Sequence, residues 1–152
     1  MALTNLEARQ QLLDGRAEAI DEIGFALAAI GAAYEQLDEQ SADRLEETLF
    51  RPVQAAYGRA KRTHERFAAR HGLATSAFEE ASPGRPSTRA KELIGTAVEA
   101  AGAADRALAG LQDSPMLLEV GDVELRSGLA AVRESIGHVA GNAREFVRTL
   151  GR

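Results

Sequence analysis

The side chains best suited to hold a metal or move a proton near neutral pH are three histidines, His64, His71 and His138. Helical di-iron proteins use a Glu three residues before a His on two helices, backed by a Glu from each of the other two. Here the residues three before the histidines are Lys61, Ala68 and Ser135, so that ligand set is missing. Glu134 and His138 stand four apart, a spacing that suits a surface ion pair better than a metal. Haem ligation by one histidine needs an aromatic-lined pocket, and only 5% of the residues are aromatic. With no cysteine, zinc–thiolate sites, disulfides and a Cys nucleophile are excluded. Neither a Gly-rich phosphate loop nor a dinucleotide fingerprint occurs, and no Ser-His-Asp set is nominated. The expectation is a non-enzymatic protein without metal or cofactor.

One polar group stands out once residues are placed on helices. If the first two helices fold about a turn near residue 40, residues whose numbers sum to about 80 sit level, from antiparallel helix geometry. Leu27 then meets Val53 and Ile23 meets Tyr57, as a core requires. By the same rule Arg16 comes level with His64, and Arg9 with His71. Both arginines take the heptad position that Ile23, Ile30 and Leu37 fill further along. Two readings compete. Either a solvated bundle end lets Arg stems cover apolar surface, with Asp14 or Glu18 as partners. Or Arg9, Arg16, His64 and His71 form a pocket for a small anion or phospho-ligand, because unpaired buried charge is expensive.

The elements that must position these residues read as four helices. The first, at about 4–40, repeats Leu6, Leu13, Ile20, Leu27 and Tyr34 every seven residues, with Ile23, Ile30 and Leu37 completing the stripe. Gly24 and Gly31 beside the stripe suit close helix contact. Ser41 has N-cap chemistry for the second helix, at about 42–71, with Asp43 in its first turn. That helix carries Phe50, Val53, Tyr57, Ala60, His64, Phe67 and His71 at three-four spacing. Pro52 removes a backbone donor inside it and predicts a kink. Gly72 stops it. The loop 72–86, with Ser82-Pro83-Gly84-Arg85-Pro86, is long for a bundle connection, a length typical of mobile or functional loops. Ser87 caps the third helix, at about 87–112, whose seam is Ala90, Ile94, Ala97, Ala101, Ala104, Leu108 and Leu111. Ser114-Pro115 opens the fourth, at about 115–151, with Leu118, Leu125, Leu129, Val132, Ile136, Val139, Ala143, Phe146 and Leu150 on its stripe. Gly121-Asp122 leaves open whether this helix is continuous or broken there, with Asp122 re-capping a second part that runs to about Gly151. The predicted fold is all-α, an elongated antiparallel up-down-up-down four-helix bundle with coiled-coil-like heptads, forming one unit over 1–152.

Composition bounds the rest. The 152 residues include 30 Ala and 16 Arg against 2 Lys, at a net charge of −5. Ala and Arg in excess over β-branched and aromatic residues argue against an all-β fold. The Arg-over-Lys bias fits a GC-rich bacterial genome. The N-terminus lacks a basic segment leading into an apolar one, so no cleaved secretory signal is expected. The longest uncharged apolar stretch, Ile23 to Tyr34, is 12 residues, short of the roughly 20 that span a bilayer. A cytoplasmic protein is expected. The first turn is acidic, with Glu35, Asp38, Glu39, Asp43, Glu46 and Glu47. Arg59, Lys61, Arg62, Arg66 and Arg70 make the far half of the second helix basic. Arg85, Arg89, Lys91, Arg144, Arg148 and Arg152 are expected at that same basic end. Without interleaved surface aromatics, nucleic acid is not an expected partner.

Three functions follow in order. The first is an interaction module that self-associates or binds another helical protein, because four alanines on the third helix's seam leave little to bury alone. The second is an anion-binding or sensor bundle using Arg16 and His64. The third is an amphipathic coat on an apolar granule or lipid surface.

Overall fold

The computed structural model describes residues 4–75, 77–79, 81, 82, 85 and 88–150, and no strand occurs among them. The elements are α1 (Asn5–Tyr34), α2 (Glu39–Leu45), a π-helical turn (Glu46–Phe50), α3 (Arg51–His71), α4 (Ala90–Gln112), α5 (Pro115–Val120), α6 (Val123–Ile136) and α7 (Val139–Leu150). No helix among the described residues is long and apolar enough to cross a membrane.

Local chemistry explains most boundaries. Thr4 and Glu7 form a reciprocal capping box that starts α1. The first helix stops at Tyr34 and not near residue 40, because Asp38 begins a new one. Its carboxylate accepts the Ser41 N–H at 2.8 Å, so Asp38 is the N-cap and Ser41 lies buried inside α2. Pro52 explains the π turn. It cannot donate to the Thr48 carbonyl, and the backbone widens just before it, with Arg51 N–H reaching back to Glu46 O. Asn142 of α7 donates instead to the Thr48 carbonyl at 3.1 Å. Gly72 takes the left-handed conformation (φ 65°) that closes α3. The predicted Ser87 cap lies outside the described residues, and α4 begins at Ala90. Ser114 and Asp122 cap α5 and α6, so the fourth predicted helix is broken at Gly121-Asp122, and again at Gly137-His138. The first of these breaks turns Leu118 outward, 76% exposed, while Leu117 and Val120 face the core.

The direction of each helix follows from its contacts. Along α1 and α3, Gly31 faces Phe50, Gly24 faces Tyr57, and Arg16 reaches the Ala60 carbonyl. Along α1 and α4, Gln36 donates to Thr88 O at 2.6 Å and Gly15 faces Leu111. Gly128 of α6 faces Thr63 of α3, and α6's Arg133 pairs with Asp105 of α4. α3 and α4 therefore point the same way, both opposite to α1 and α6. The expected up-down-up-down order is replaced by up-down-down-up. The reason is the connection 72–89, about 18 residues that can extend to about 60 Å, ample to run back past the roughly 30 Å rise of α3. Its described part does so: Phe78 sits against His64, Ala81 lies at the level of Gly24 and Gly31, and Thr88 meets Gln36.

Two apolar cores result. The larger fills the space among α1, α3, α4, α6 and α7, and the smaller gathers Leu12, Leu13, Phe67, Leu117, Val120 and Leu125. The alanine seam of α4 is buried against α1, which supplies Ala19, Ala26, Ala29 and Ala33 to the same core. Small residues on both sides let these two helices approach closely, so the seam is consumed inside the chain.

Candidate functional site

Arg16 sits where the two cores meet, between Leu13 and Ala19, and is 1% exposed. Its Nη2 donates to the Ala60 carbonyl at 3.1 Å, while Nε and Nη1 are buried with no partner among the described residues. Burial alone pushes the guanidinium pKa down to about 10. Neither expected carboxylate reaches it: Asp14 instead accepts from Gln10 at 3.0 Å. One turn beyond Ala60, His64 is also buried, with an unpartnered Nδ1 and its ring edge-on to Phe78 at 5.3 Å. Burial first, and the Arg16 charge second, push His64 down to about 4, against a weaker opposing pull from Asp14. The imidazole is neutral at physiological pH.

A cleft of about 290 Å³ opens beside this pair. His64 and Phe78 line it together with Gln10, Asp14, Asp21 and Thr75. Arg16 does not, so the cleft presents two carboxylates and no cation. An anion entering there meets repulsion first.

Arg9 and His71 do not join Arg16 and His64. Arg9 Nε donates to the Val120 carbonyl at 3.0 Å, satisfying the C-terminal end of α5. His71 Nε2 lies 3.0 Å from Asp122. Asp122 also takes a bidentate pair from Arg70 at 2.8 Å on each oxygen and caps Leu125 N–H at 2.7 Å. Burial opposes this carboxylate's charge, but the hydrogen bonds from Arg70, Leu125 N–H and His71 outweigh it and hold the pKa at about 2. The polar end is thus two separate structures, a buried cation–imidazole pair and a bracket tying α3 and α1 to the α5–α6 junction. Asp122 was legible as a cap, but its partners depend on the α3–α6 register.

Two further expectations change. Glu134 and His138 form no ion pair. The predicted charge poles are also mixed. Because α4 begins beside the α1–α2 turn, Arg89, Lys91, Arg144 and Arg148 fall at the acidic end. Arg152 lies outside the described residues.

The feature sequence reasoning missed is apolar. Leu6, Leu118 and Val123 are 59%, 76% and 68% exposed. Arg9's bond to Val120, and the packing of Ala8 with Leu117 and Val120, bring all three to one end of the molecule. Among the described residues no group of three His, Asp or Glu is placed to hold a metal. Comparison with known proteins finds no matching family, no matching curated protein and no matching solved structure.

Proposed function

We propose that the protein is a non-enzymatic helical interaction module, an elongated four-helix bundle of α1, α3, α4 and the α6–α7 pair that works by self-association. The observation that carries this reading is the set of exposed Leu6, Leu118 and Val123 at one end. Large apolar side chains left exposed at the same end of a molecule support an interaction surface there. Two copies related by a two-fold axis would lay the same three residues against each other, covering them without a second protein. The alanine seam of α4 plays no part, since α1 already covers it. Coating an apolar particle through the heptad stripes would require the helices to come apart, because those stripes face one another.

Size-exclusion chromatography with light scattering across a wide concentration range tests this. The expected result is a mass that rises toward twice the chain's 16.2 kDa and falls back in Leu118→Glu, a substitution at a side chain too exposed to affect folding. A strict monomer at the highest concentration reached, or a dimer indifferent to Leu118→Glu, overturns the reading.

A further inference from the structure

A group of cations lines a different face of the molecule. Arg59, Arg62 and Arg66 lie three and four residues apart on α3 and line a groove of about 350 Å³ against α6. Its remaining walls are Thr63, Glu124, Ser127 and Gly128. The groove exists because α6 comes very close to α3 at its floor: a Cβ on Gly128 would stand 2.5 Å from the Thr63 side chain. Arg59 and Arg62 have no ion-pair partner among the described residues, and the hydroxyls of Thr63 and Ser127 make no hydrogen bond there. The one acid in the groove, Glu124, is already held by Arg70 at 2.7 Å, with Arg66 at 3.7 Å.

We propose that this α3–α6 groove binds a ligand carrying two or more linked phosphoryl groups. Guanidinium forks and hydroxyl donors are the groups that recognise phosphate oxygens. Arg59 and Arg66 are seven positions apart on the helix, about 10 Å along the axis, more than one phosphate reaches and suited to an oligophosphate chain. The cations are concentrated locally, since the whole chain is net negative at −5. A free oligophosphate and a nucleoside polyphosphate share this chemistry. The site is independent of the apolar end through which self-association is proposed, and it replaces the Arg16–His64 cleft as the place for an anion.

Isothermal titration calorimetry with tripolyphosphate tests it, with orthophosphate and a nucleoside triphosphate as parallel ligands at constant ionic strength. Tripolyphosphate is expected to bind saturably and more tightly than orthophosphate. The Arg59→Ala/Arg62→Ala variant, whose changes lie on exposed side chains, is expected to lose about tenfold or more in affinity, while Arg144→Ala/Arg148→Ala on α7 loses none. Equal binding of the nucleoside triphosphate indicates recognition of the phosphate chain, and tighter binding adds the nucleoside to the ligand. Absence of saturable binding overturns the proposal. So does an equal loss in the α7 variant, or polyglutamate binding as tightly as tripolyphosphate, which would make an acidic protein segment the occupant.

Discussion

Replacing Arg16 by methionine should make the protein more stable. Burial that pushes the Arg16 guanidinium from its ordinary pKa down to about 10 costs the charged form about 3 kcal/mol, at about 1.4 kcal/mol per unit. Its single hydrogen bond, to the Ala60 carbonyl, returns about 1 kcal/mol. Methionine keeps the length of the apolar stem and carries no donors to leave unpaired. The net expectation is a gain of about 2 kcal/mol, in line with the replacement of other buried charges by apolar side chains. Urea unfolding followed by circular dichroism at pH 7 reads this as a rise in midpoint of about 1 M, with an m-value of about 2 kcal/mol/M for a chain this size. A second signature follows. Arg16 helps push His64 down, so Arg16→Met should raise the His64 pKa toward its ordinary value, read by proton NMR titration of the ring. A variant less stable than the parent by about 1 kcal/mol or more, outside the range expected here, would refute the reasoning. It would mean that the Arg16 Nε and Nη1 donors are satisfied in solution by an anion or carboxylate.

Other outcomes follow from the same contacts. His64 stays neutral in the folded protein down to about pH 4 but protonates near 6.5 when unfolded. Its stabilising contribution is therefore present above about 6.5 and lost as pH falls toward 4, at most about 3 kcal/mol, and His64→Gln should flatten stability over that window in urea melts. Asp122, held at about 2, adds a second loss of stability between about pH 4 and 2. Asp122→Ala removes the α6 cap and leaves Arg70 with Glu124 alone, costing about 2 kcal/mol and lowering Tm by about 4–8 °C. Gly128→Ala drives a methyl into Thr63 and should cost about 1–3 kcal/mol. Adding Thr63→Ala should recover part of that loss in the same thermal melt.

What could be read from residue order was local chemistry and which face of each helix is buried. Gly72 ends α3 because, lacking a Cβ, it takes the left-handed conformation, and the Ser114 and Asp122 side chains start α5 and α6. The Leu125-to-Phe146 stripe is buried because three-four spacing survives the break after Ile136. Heptad position also marked Arg16 and His64 as core replacements, and both are buried. Periodicity carries no sign, however, so it identifies a buried face without saying which end of the helix points up. That is why heptad spacing alone predicts the wrong direction for α4, and with it the wrong end for Lys91, Arg144 and Arg148. The signal was the length of the 72–86 segment, which suffices for a crossing. Asp38 and Ser41 are equally capable caps in isolation. The choice of Asp38 shows only once Ser41 is seen buried beneath α2.

The crossing connection also bears on how fast the chain can reach its folded state. Because α4 returns to α1 rather than continuing from α3, the most extensive helix pair joins distant parts of the chain, from Gln36–Thr88, 52 residues apart, to Gly15–Leu111. A bundle with short turns folds through neighbouring helices, each contact preparing the next. Here α1 and α3 can pair early, but the more extensive contact of α1, with α4, waits for a loop of more than fifty residues to close. Such closure is paid in chain entropy before any contact offsets it. Folding is therefore expected to be slower than helix content alone suggests, with the rate governed by how readily the described part of this connection, Phe78 and Ala81, comes to lie along α1 and α3.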